Sequence, residues 1–140
     1  MPKVARLNRI LELDPRAGTA RVEPGVRNLA ISEAAAPYGL YYAPDPSSQI
    51  ACTIGGNVAE NSGGVHCLKY GLTLHNVLRV RAVLSDGSVE EFGSHGLDSP
   101  GLDLLSVLIG SEGMLAVVTE ASVRLLPRPQ LARCVMASFA

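Results

Sequence analysis

The chain has 140 residues, of which 47% are hydrophobic, so it is long enough to bury the core of a single domain. Its net charge of −1, its aromatic content of 4% and the lack of tryptophan exclude the basic surface and the stacking platforms of a nucleic-acid-binding protein. Its apolar runs are too short for a transmembrane segment and its three cysteines follow no zinc or disulfide spacing, so we expect a cytoplasmic protein with reduced thiols.

The first part of the chain predicts a hairpin, a short helix and a brief strand. Two alternating runs, Arg9 to Leu13 and Thr19 to Glu23, flank a group of turn residues, which is typical of two antiparallel strands. We expect Asn28 to be the N-cap of a helix over LAISEAAAPYG, which a proline and a glycine end. The apolar run from Leu40 to Ala43 predicts a third strand, which leads into a long polar loop.

The middle of the chain contains its clearest strand signal. Residues Asn76 to Ser85 alternate between apolar and polar side chains, as in a strand with one buried face. Asp86-Gly87 is a strong two-residue hairpin signal, and it predicts a return strand over Val89 to Phe92. This region should therefore form a tight antiparallel pair.

The last part predicts one helix and two strands. The run from Leu102 to Ile109 is apolar enough to be buried as two helical turns, with a glycine as its stop. The longest predicted strand follows, with one face formed by Leu115, Val117, Ala121, Val123 and Leu125. A final strand is predicted over Leu131 to Phe139. Because the pattern has no βαβ rhythm, we expect an α+β fold with a mostly antiparallel sheet flanked by short helices.

The stretch from Ala43 to Gly64, APDPSSQIACTIGGNVAENSGG, is rich in groups that bind ligands. Its only formal charges are Asp45 and Glu60, so a bound ligand would be contacted by backbone amides and small polar side chains. A helix beginning near Thr53 would add free amides that favour an anion. The alternative is an ordinary surface loop. The length of the stretch favours function, although neither the Rossmann fingerprint nor the P-loop is present.

Two histidines and a cysteine after this stretch raise the question of a metal site. His66 and Cys67 are adjacent, and neither they nor His75 has a further ligand at a fixed spacing. The sequence therefore predicts no metal bound by this chain, and it assigns no catalytic base.

Five motifs occur in the order and approximate spacing of a known family: VEPGVRNLAISEAAAPYGLYYAPDPSS, TIGGNVAENSGG, LKYGLT, DGSVEEFG and GSEGMLAVVTE. Over nearly its whole length the chain resembles the PCMH-type FAD-binding domain of FAD-linked oxidases of the vanillyl-alcohol-oxidase type. The resemblance is closest to the FAD subunit of glycolate oxidase and its D-lactate dehydrogenase relatives. It implies FAD as the cofactor.

The resemblance also implies three groups of residues that contact FAD. The PDPSS and IGGN segments would line its pyrophosphate and isoalloxazine, through Pro44, Asp45, Ser47, Ser48, Gly55, Gly56 and Asn57. The AENSGG segment would approach the ring and ribityl chain, through Glu60, Asn61, Gly63 and Gly64. The ribityl-adenine side would be bordered by Glu112, Gly113, Val117 and Val118. For the residues other than glycine, a role in shaping the loop is an equal alternative.

The chain also departs from the pattern of the family. The family's first FAD subdomain, with its glycine-rich loop, and its substrate domain do not occur within residues 1–140, so we expect the second FAD subdomain alone. Ala116 stands where the family usually has glycine.

Two functions follow from this resemblance. The first is the FAD-binding portion of an enzyme that moves a hydride from the α-carbon of a 2-hydroxy acid to flavin N5, with other oxidase subunits as partners. The second is a non-catalytic remnant or interaction module with little flavin affinity. In both cases we expect the chain alone to be inactive, and to expose an apolar face that favours self-association.

Overall fold

The computed structural model describes residues 6–96, 101–131 and 133–138. In order, the elements of this part are β1 (Ile10–Asp14), β2 (Thr19–Val22), α1 (Asn28–Ala35), β3 (Leu40–Tyr41), α2 (Ile54–Glu60), α3 (Cys67–Tyr70), β4 (Val77–Val83), β5 (Val89–Gly93), α4 (Leu104–Leu108), β6 (Val117–Arg124) and β7 (Leu126–Pro127). Short 3₁₀ turns follow α1 and precede β4. None of the helices in the described ranges is long and apolar enough to cross a membrane.

The strands form one large and one small antiparallel sheet. The large sheet has the order β1-β2-β6-β4-β5, and β3 pairs with β7. This arrangement confirms the predicted α+β class, the first hairpin and the hairpin at Asp86-Gly87. Because β6 lies between β2 and β4, the connection that carries α1, α2 and α3 begins and ends beside the same central strand.

One face of the large sheet forms the core with α1 and α2. Val22, Ile31, Ile54, Val80 and Val123 are at most 1% exposed. Complete burial of a side chain of this size stabilises the fold by roughly 1.5–3 kcal/mol. These contacts therefore hold the helices to the sheet.

Ion pairs run across the other side of the sheet. Glu120 on β6 pairs with Arg21 on β2 at 3.0 Å and with Arg81 on β4 at 3.1 Å. Pairs this exposed are worth about 0–1 kcal/mol each. The ion pairs on this solvated face therefore contribute little to stability, and the buried side chains of the core face contribute most of it.

The prediction that Asn28 caps α1 is wrong. Arg27 occupies the cap position, with φ −69° and ψ 142°, and Asn28 is the first helical residue. The Asn28 side chain is buried, and its Nδ2 donates to the carbonyl oxygen of Pro44 at 2.8 Å. Satisfying that buried carbonyl takes precedence over capping the helix.

The predicted face of β6 is wrong in its first half. Ala121 and Val123 are buried as predicted, but Leu115 and Val117 are 51% and 47% exposed. The pairing of β4 with β6 shifts register after Arg81. A shift of one residue moves every side chain beyond it to the opposite face, which explains why the alternation fails there.

Two other predicted elements differ from the structure. The helix predicted over Leu102 to Ile109 is shorter, at Leu104–Leu108, and it buries Leu105 while Val107 is 61% exposed. The strand predicted over Leu131 to Phe139 is wrong for residues 131 and 133–138, and residues 132 and 139 lie outside the described part. Val135 is 89% exposed, and no strand in the described ranges pairs with this segment, so its β propensity has no partner to satisfy.

Candidate functional site

Helix α2 lies at the centre of the residues that the motifs single out. Thr53 caps its start, and the Thr53 Oγ1 accepts a hydrogen bond from the Gly56 amide at 3.3 Å. The amides of Ile54 and Gly55 donate to carbonyl oxygens of the segment before α1, at 2.9 and 2.8 Å. The expectation of free amides for an anion at this end is therefore wrong, because other parts of the chain already use them.

The end of α2 is bound by the GSEG turn. The carbonyl oxygens of Val58 and Ala59 accept hydrogen bonds from the amides of Gly110 and Glu112, at 2.8 and 2.9 Å. Glu112 has φ 54°, an uncommon conformation for a residue other than glycine. These bonds bring the GSEG turn, whose residues are 52 and 53 positions away from their partners in the sequence, against the helix.

A cavity of about 220 Å³ opens between these elements. It is lined by Pro24, Gly55, Val58, Ala59, Leu108, Ser111, Gly113, Ala116, Val117 and Val118. Four residues predicted to contact FAD, namely Gly55, Gly113, Val117 and Val118, are therefore brought together. Because the lining is mostly apolar, we call this cavity the apolar groove.

Three glycines of the predicted site have no room for a side chain. A Cβ on Gly55 would lie 2.7 Å from the Pro24 Cβ, and one on Gly63 would lie 2.6 Å from Leu72 Cδ2. A Cβ on Gly64 would collide with Asp45. Packing within the chain explains all three.

Gly56 and Gly113 have open space instead. Gly113 needs glycine for its φ of 74°, whereas a Cβ on exposed Gly56 would meet nothing closer than Thr53 Oγ1 at 3.6 Å. Within the predicted set, Gly56 is thus the glycine that neither the packing of the described residues nor its own backbone conformation requires. Such a residue suits the close approach of a ligand to the backbone.

Asn57 and Pro44 belong to a buried hydrogen-bond chain. The Asn57 Nδ2 donates to Asn28 Oδ1 at 2.8 Å, and the Asn28 Nδ2 donates to the Pro44 carbonyl oxygen at 2.8 Å. Asn57 is 3% exposed. These contacts tie α2 and α1 to the PDPSS loop, so the amide of Asn57 shapes the loop. Asn61 has a related role, since its Oδ1 accepts from the Leu74 amide at 3.0 Å.

Asp45 lies on a different cavity, of about 490 Å³. Its carboxylate contacts His66 Nδ1 at 2.5 Å and accepts from the His66 amide at 3.3 Å. Tyr41 and Tyr70 line the same cavity, edge to face, with ring centroids 6.2 Å apart. Burial raises the pKa of the Tyr41 phenol, and the hydrogen bond from Tyr41 lowers the pKa of Tyr70. The structure therefore does not place Asp45 in the apolar groove.

The remaining predicted residues are at the surface. Ser47 and Ser48 are exposed, and their hydroxyls make no hydrogen bond to any described residue. The charged side chains of the predicted set are all acidic: Asp45, Glu60 and Glu112. Nothing in this set provides a positive charge for a phosphate group.

Arg27 is a cation near this site that the sequence reasoning did not select. Its backbone forms an isolated antiparallel bridge with Thr53, at the start of α2. Its side chain is exposed and has no ion-pair partner within the described ranges. The sequence feature that points to Arg27 is its position directly before Asn28 in the VEPGVRN motif.

Comparison with known families identifies the domain. The sequence pattern of the FAD binding domain family matches residues 3–93, which is more than half of the chain. The chain belongs to the FAD binding domain family. This membership confirms the resemblance seen in the motifs and FAD as the cofactor of the family.

Curated relatives of this FAD binding domain are FAD-linked oxidoreductases. The chain is 63% identical over 136 residues to the glycolate oxidase subunit GlcD of Escherichia coli strain K12, covering 97% of this chain and 27% of that protein. It is 36% identical to a D-lactate dehydrogenase of Anaerostipes hadrus, covering 93% of this chain and 27% of that protein. The chain thus spans about a quarter of the length of the relatives it matches.

A solved structure agrees with the fold of the family. Alkyldihydroxyacetonephosphate synthase superimposes with a TM-score of 0.79 at 29% sequence identity, covering 91% of this chain and 23% of that one. This match confirms the PCMH-type FAD-binding fold for the described residues.

The residues present fit one side of an FAD molecule. The open surface over Gly56 and the adjoining apolar groove suit an uncharged flavin ring and its ribityl chain. The hydroxyls of Ser47 and Ser48 and the side chain of Arg27 are donors without protein partners in the described part of the chain. A single exposed cation is a weak complement to the two negative charges of a pyrophosphate.

The histidines of the site are engaged elsewhere. His66 pairs with Asp45, and His75 Nδ1 accepts a hydrogen bond from the Leu72 amide at 3.1 Å. The described ranges contain no group of three or more His, Cys, Asp or Glu side chains able to hold a metal ion.

Proposed function

We propose that this chain is the FAD-binding portion of a flavin-dependent dehydrogenase or oxidase of 2-hydroxy acids such as glycolate or D-lactate. Membership in the FAD binding domain family and the similarity to glycolate oxidase and D-lactate dehydrogenase support this proposal. The observation that carries it is the open Gly56 beside a groove lined by Gly55, Gly113, Val117 and Val118. When bound, FAD supplies a hydride acceptor at N5 for the α-carbon of the substrate.

The chain's own residues would position the cofactor and shield it from water. The apolar groove would hold the uncharged part of FAD, and the absent side chain of Gly56 would let the ring approach the backbone. Ser47 and Ser48 would donate hydroxyl hydrogen bonds, and Arg27 would face the pyrophosphate. In this arrangement Asn57 and Asn61 maintain the shape of the site.

We expect FAD to bind this chain weakly. The first amides of α2 are already bonded, and Glu60 and Glu112, at the end of α2 and in the GSEG turn, would add negative charge near a doubly negative ligand. Residues 1–140 would act as the second FAD subdomain, with the opposite wall and the substrate domain supplied by other parts of the complete enzyme. The purified chain should then be nearly colourless and should not oxidise hydroxy acids, and other oxidase subunits would be its partners.

The proposal can be tested by titrating the chain with FAD and following the quenching of flavin fluorescence. Gly56→Leu should weaken binding at least tenfold, because the new side chain would fill the surface where the ring lies. Gly96→Leu is the matched control, since Gly96 also has room for a side chain and lies outside the groove. Equal affinities for the native chain and Gly56→Leu would refute the assigned site. No saturable binding at millimolar FAD would favour the non-catalytic interaction module.

A further inference from the structure

A third cavity, of about 690 Å³, shares no lining residue with the apolar groove and shares Tyr70 with the cavity that Asp45 lines. Its lining comes from α3, the 3₁₀ turn before β4, the strands β4 and β5, α4, the end of β6 and the loops that join them. Leu74, Val77 and Leu105 form an apolar part, whereas Lys69, His75 and Arg124 bring polar and cationic groups. A volume of this size is within the range of small-molecule sites.

Arg124 is the unusual group in this cavity. It is half-buried, and its Nε is buried without any hydrogen-bond partner. Its one hydrogen bond within the described ranges runs from Nη2 to Asn76 Oδ1, at a long 3.4 Å. Arg21 and Arg81, by contrast, both pair with Glu120. A guanidinium is always charged, so its partial desolvation without a counter-ion is unfavourable, and an anion would relieve it.

Among the described lining residues, the cations Lys69 and Arg124 outnumber the single anion Asp103. Lys69 Nζ lies 4.9 Å from the centre of the Tyr70 ring, where the ring partly stabilises it. Among the described lining residues, Asp103 is the one carboxylate, and it is already engaged by the amide of Ser106 at 3.1 Å. The guanidinium of Arg124 therefore has no carboxylate of this chain within ion-pair distance in the described part.

We propose that this cavity binds a small aliphatic carboxylate. The carboxylate would pair with the Arg124 guanidinium, whose planar donors match its two oxygens, and the hydrocarbon chain would pack on Leu74, Val77 and Leu105. A monoanion is preferred to a phosphate dianion, since Asp103 repels a second negative charge and offers no donor to it. None of the residues predicted to contact FAD lines this cavity, so the proposal stands independently of the proposed function.

The test is a titration of the ¹⁵N-labelled chain with sodium butyrate at constant ionic strength. Saturable shifts are expected for the backbone amides of Gly71, Gly93 and Gly96, which line the cavity. Butyramide, which has the same shape without the charge, and inorganic phosphate should each bind at least tenfold more weakly. Equal shifts with butyramide, or tighter binding of phosphate, would overturn the proposal.

Variants separate the cavity from general attraction of anions to the surface. Arg124→Gln should weaken butyrate binding at least tenfold, while Arg81→Gln, which removes an arginine outside the cavity, should leave it unchanged. If Arg124→Gln does not fold, Arg124→Lys can be used instead. It keeps the positive charge but lacks the planar pair of N–H donors, and it should weaken butyrate binding severalfold. Unchanged affinity in the folded Arg124 variant, or no saturable shift in the native chain, would refute the site.

Discussion

Two neighbouring glycines of α2 should respond oppositely to alanine. An added Cβ on Gly55 would lie 2.7 Å from the Pro24 Cβ and 3.0 Å from the Pro24 carbonyl oxygen. Ordinary carbon contacts are about 3.5–4.0 Å, so the start of the helix would have to move by nearly 1 Å. Pro24 is fully buried and its carbonyl oxygen accepts from the Gly55 amide at 2.8 Å, so this movement would also strain a hydrogen bond.

The expected free energies follow from this geometry. Overpacking of a buried contact costs about 1–3 kcal/mol, and replacing a helical glycine by alanine returns roughly 0.5–1 kcal/mol. Gly55→Ala should therefore lower the free energy of unfolding by a net amount on the order of 1 kcal/mol. Gly56→Ala meets nothing closer than 3.6 Å and should raise it by roughly 0.5–1 kcal/mol.

The measurement is urea unfolding of the native chain and both variants, followed by far-ultraviolet circular dichroism. The two midpoints should move in opposite directions at an unchanged slope. If Gly56→Ala destabilises the chain as much as Gly55→Ala does, other atoms must occupy the space over Gly56 in solution, and the packing argument is refuted. An unchanged free energy of unfolding for Gly55→Ala would show that Pro24 can move aside at little cost, and would also refute the packing argument.

Four other changes test the site and its support. Arg27→Gln should weaken FAD binding and leave riboflavin binding unchanged, with Arg16→Gln as the control; an equal effect on both ligands would place Arg27 away from the pyrophosphate. Arg9 donates hydrogen bonds to the Glu23 carboxylate and so lowers the pKa of Glu23. This pair therefore stabilises the fold fully above the ordinary glutamate pKa of about 4.3, and its contribution is lost as the pH falls through the lowered pKa. The unfolding free energies of the native chain and Glu23→Gln should therefore converge on acidification, and a widening gap would contradict this. Asn57→Ala should cost about 1–3 kcal/mol in chemical unfolding by stranding a buried amide oxygen in α1, and a neutral result would show that the bond is dispensable. Ala116→Gly, which opens the groove wall, should tighten FAD binding in the same fluorescence titration, where weaker binding would count against the groove.

Local patterns predicted the strands because their causes are local. The alternation of Asn76 to Ser85 and the turn at Asp86-Gly87 depend on neighbouring residues, and the hairpin formed as expected. The central position of β6 depends on pairing with strands far away in sequence, which no local pattern shows. The exposure of Leu115 and Val117 depends on a register shift, so it too required the structure.

The candidate site was predictable in composition but not in arrangement. The motifs singled out both Gly55 and Gly56, but sequence alone cannot show that only Gly55 packs against Pro24. The same holds for Arg27, whose position beside Thr53 arises from a long-range backbone bridge. Asp45 was grouped with the other loop residues, although it lines a different cavity.

The way both ends of α2 are bonded has a consequence for the order of folding. With only seven residues, Ile54–Glu60 is far too short to be stable as an isolated helix. Its first amides need the segment before α1, and its last carbonyls need the turn before β6, so two distant parts of the chain must already be in place. Closing such long loops is slow compared with forming the hairpin at Asp86-Gly87. The helix should thus be among the last elements to form, and amide hydrogen exchange at Val58 should report opening of this region before the sheet unfolds.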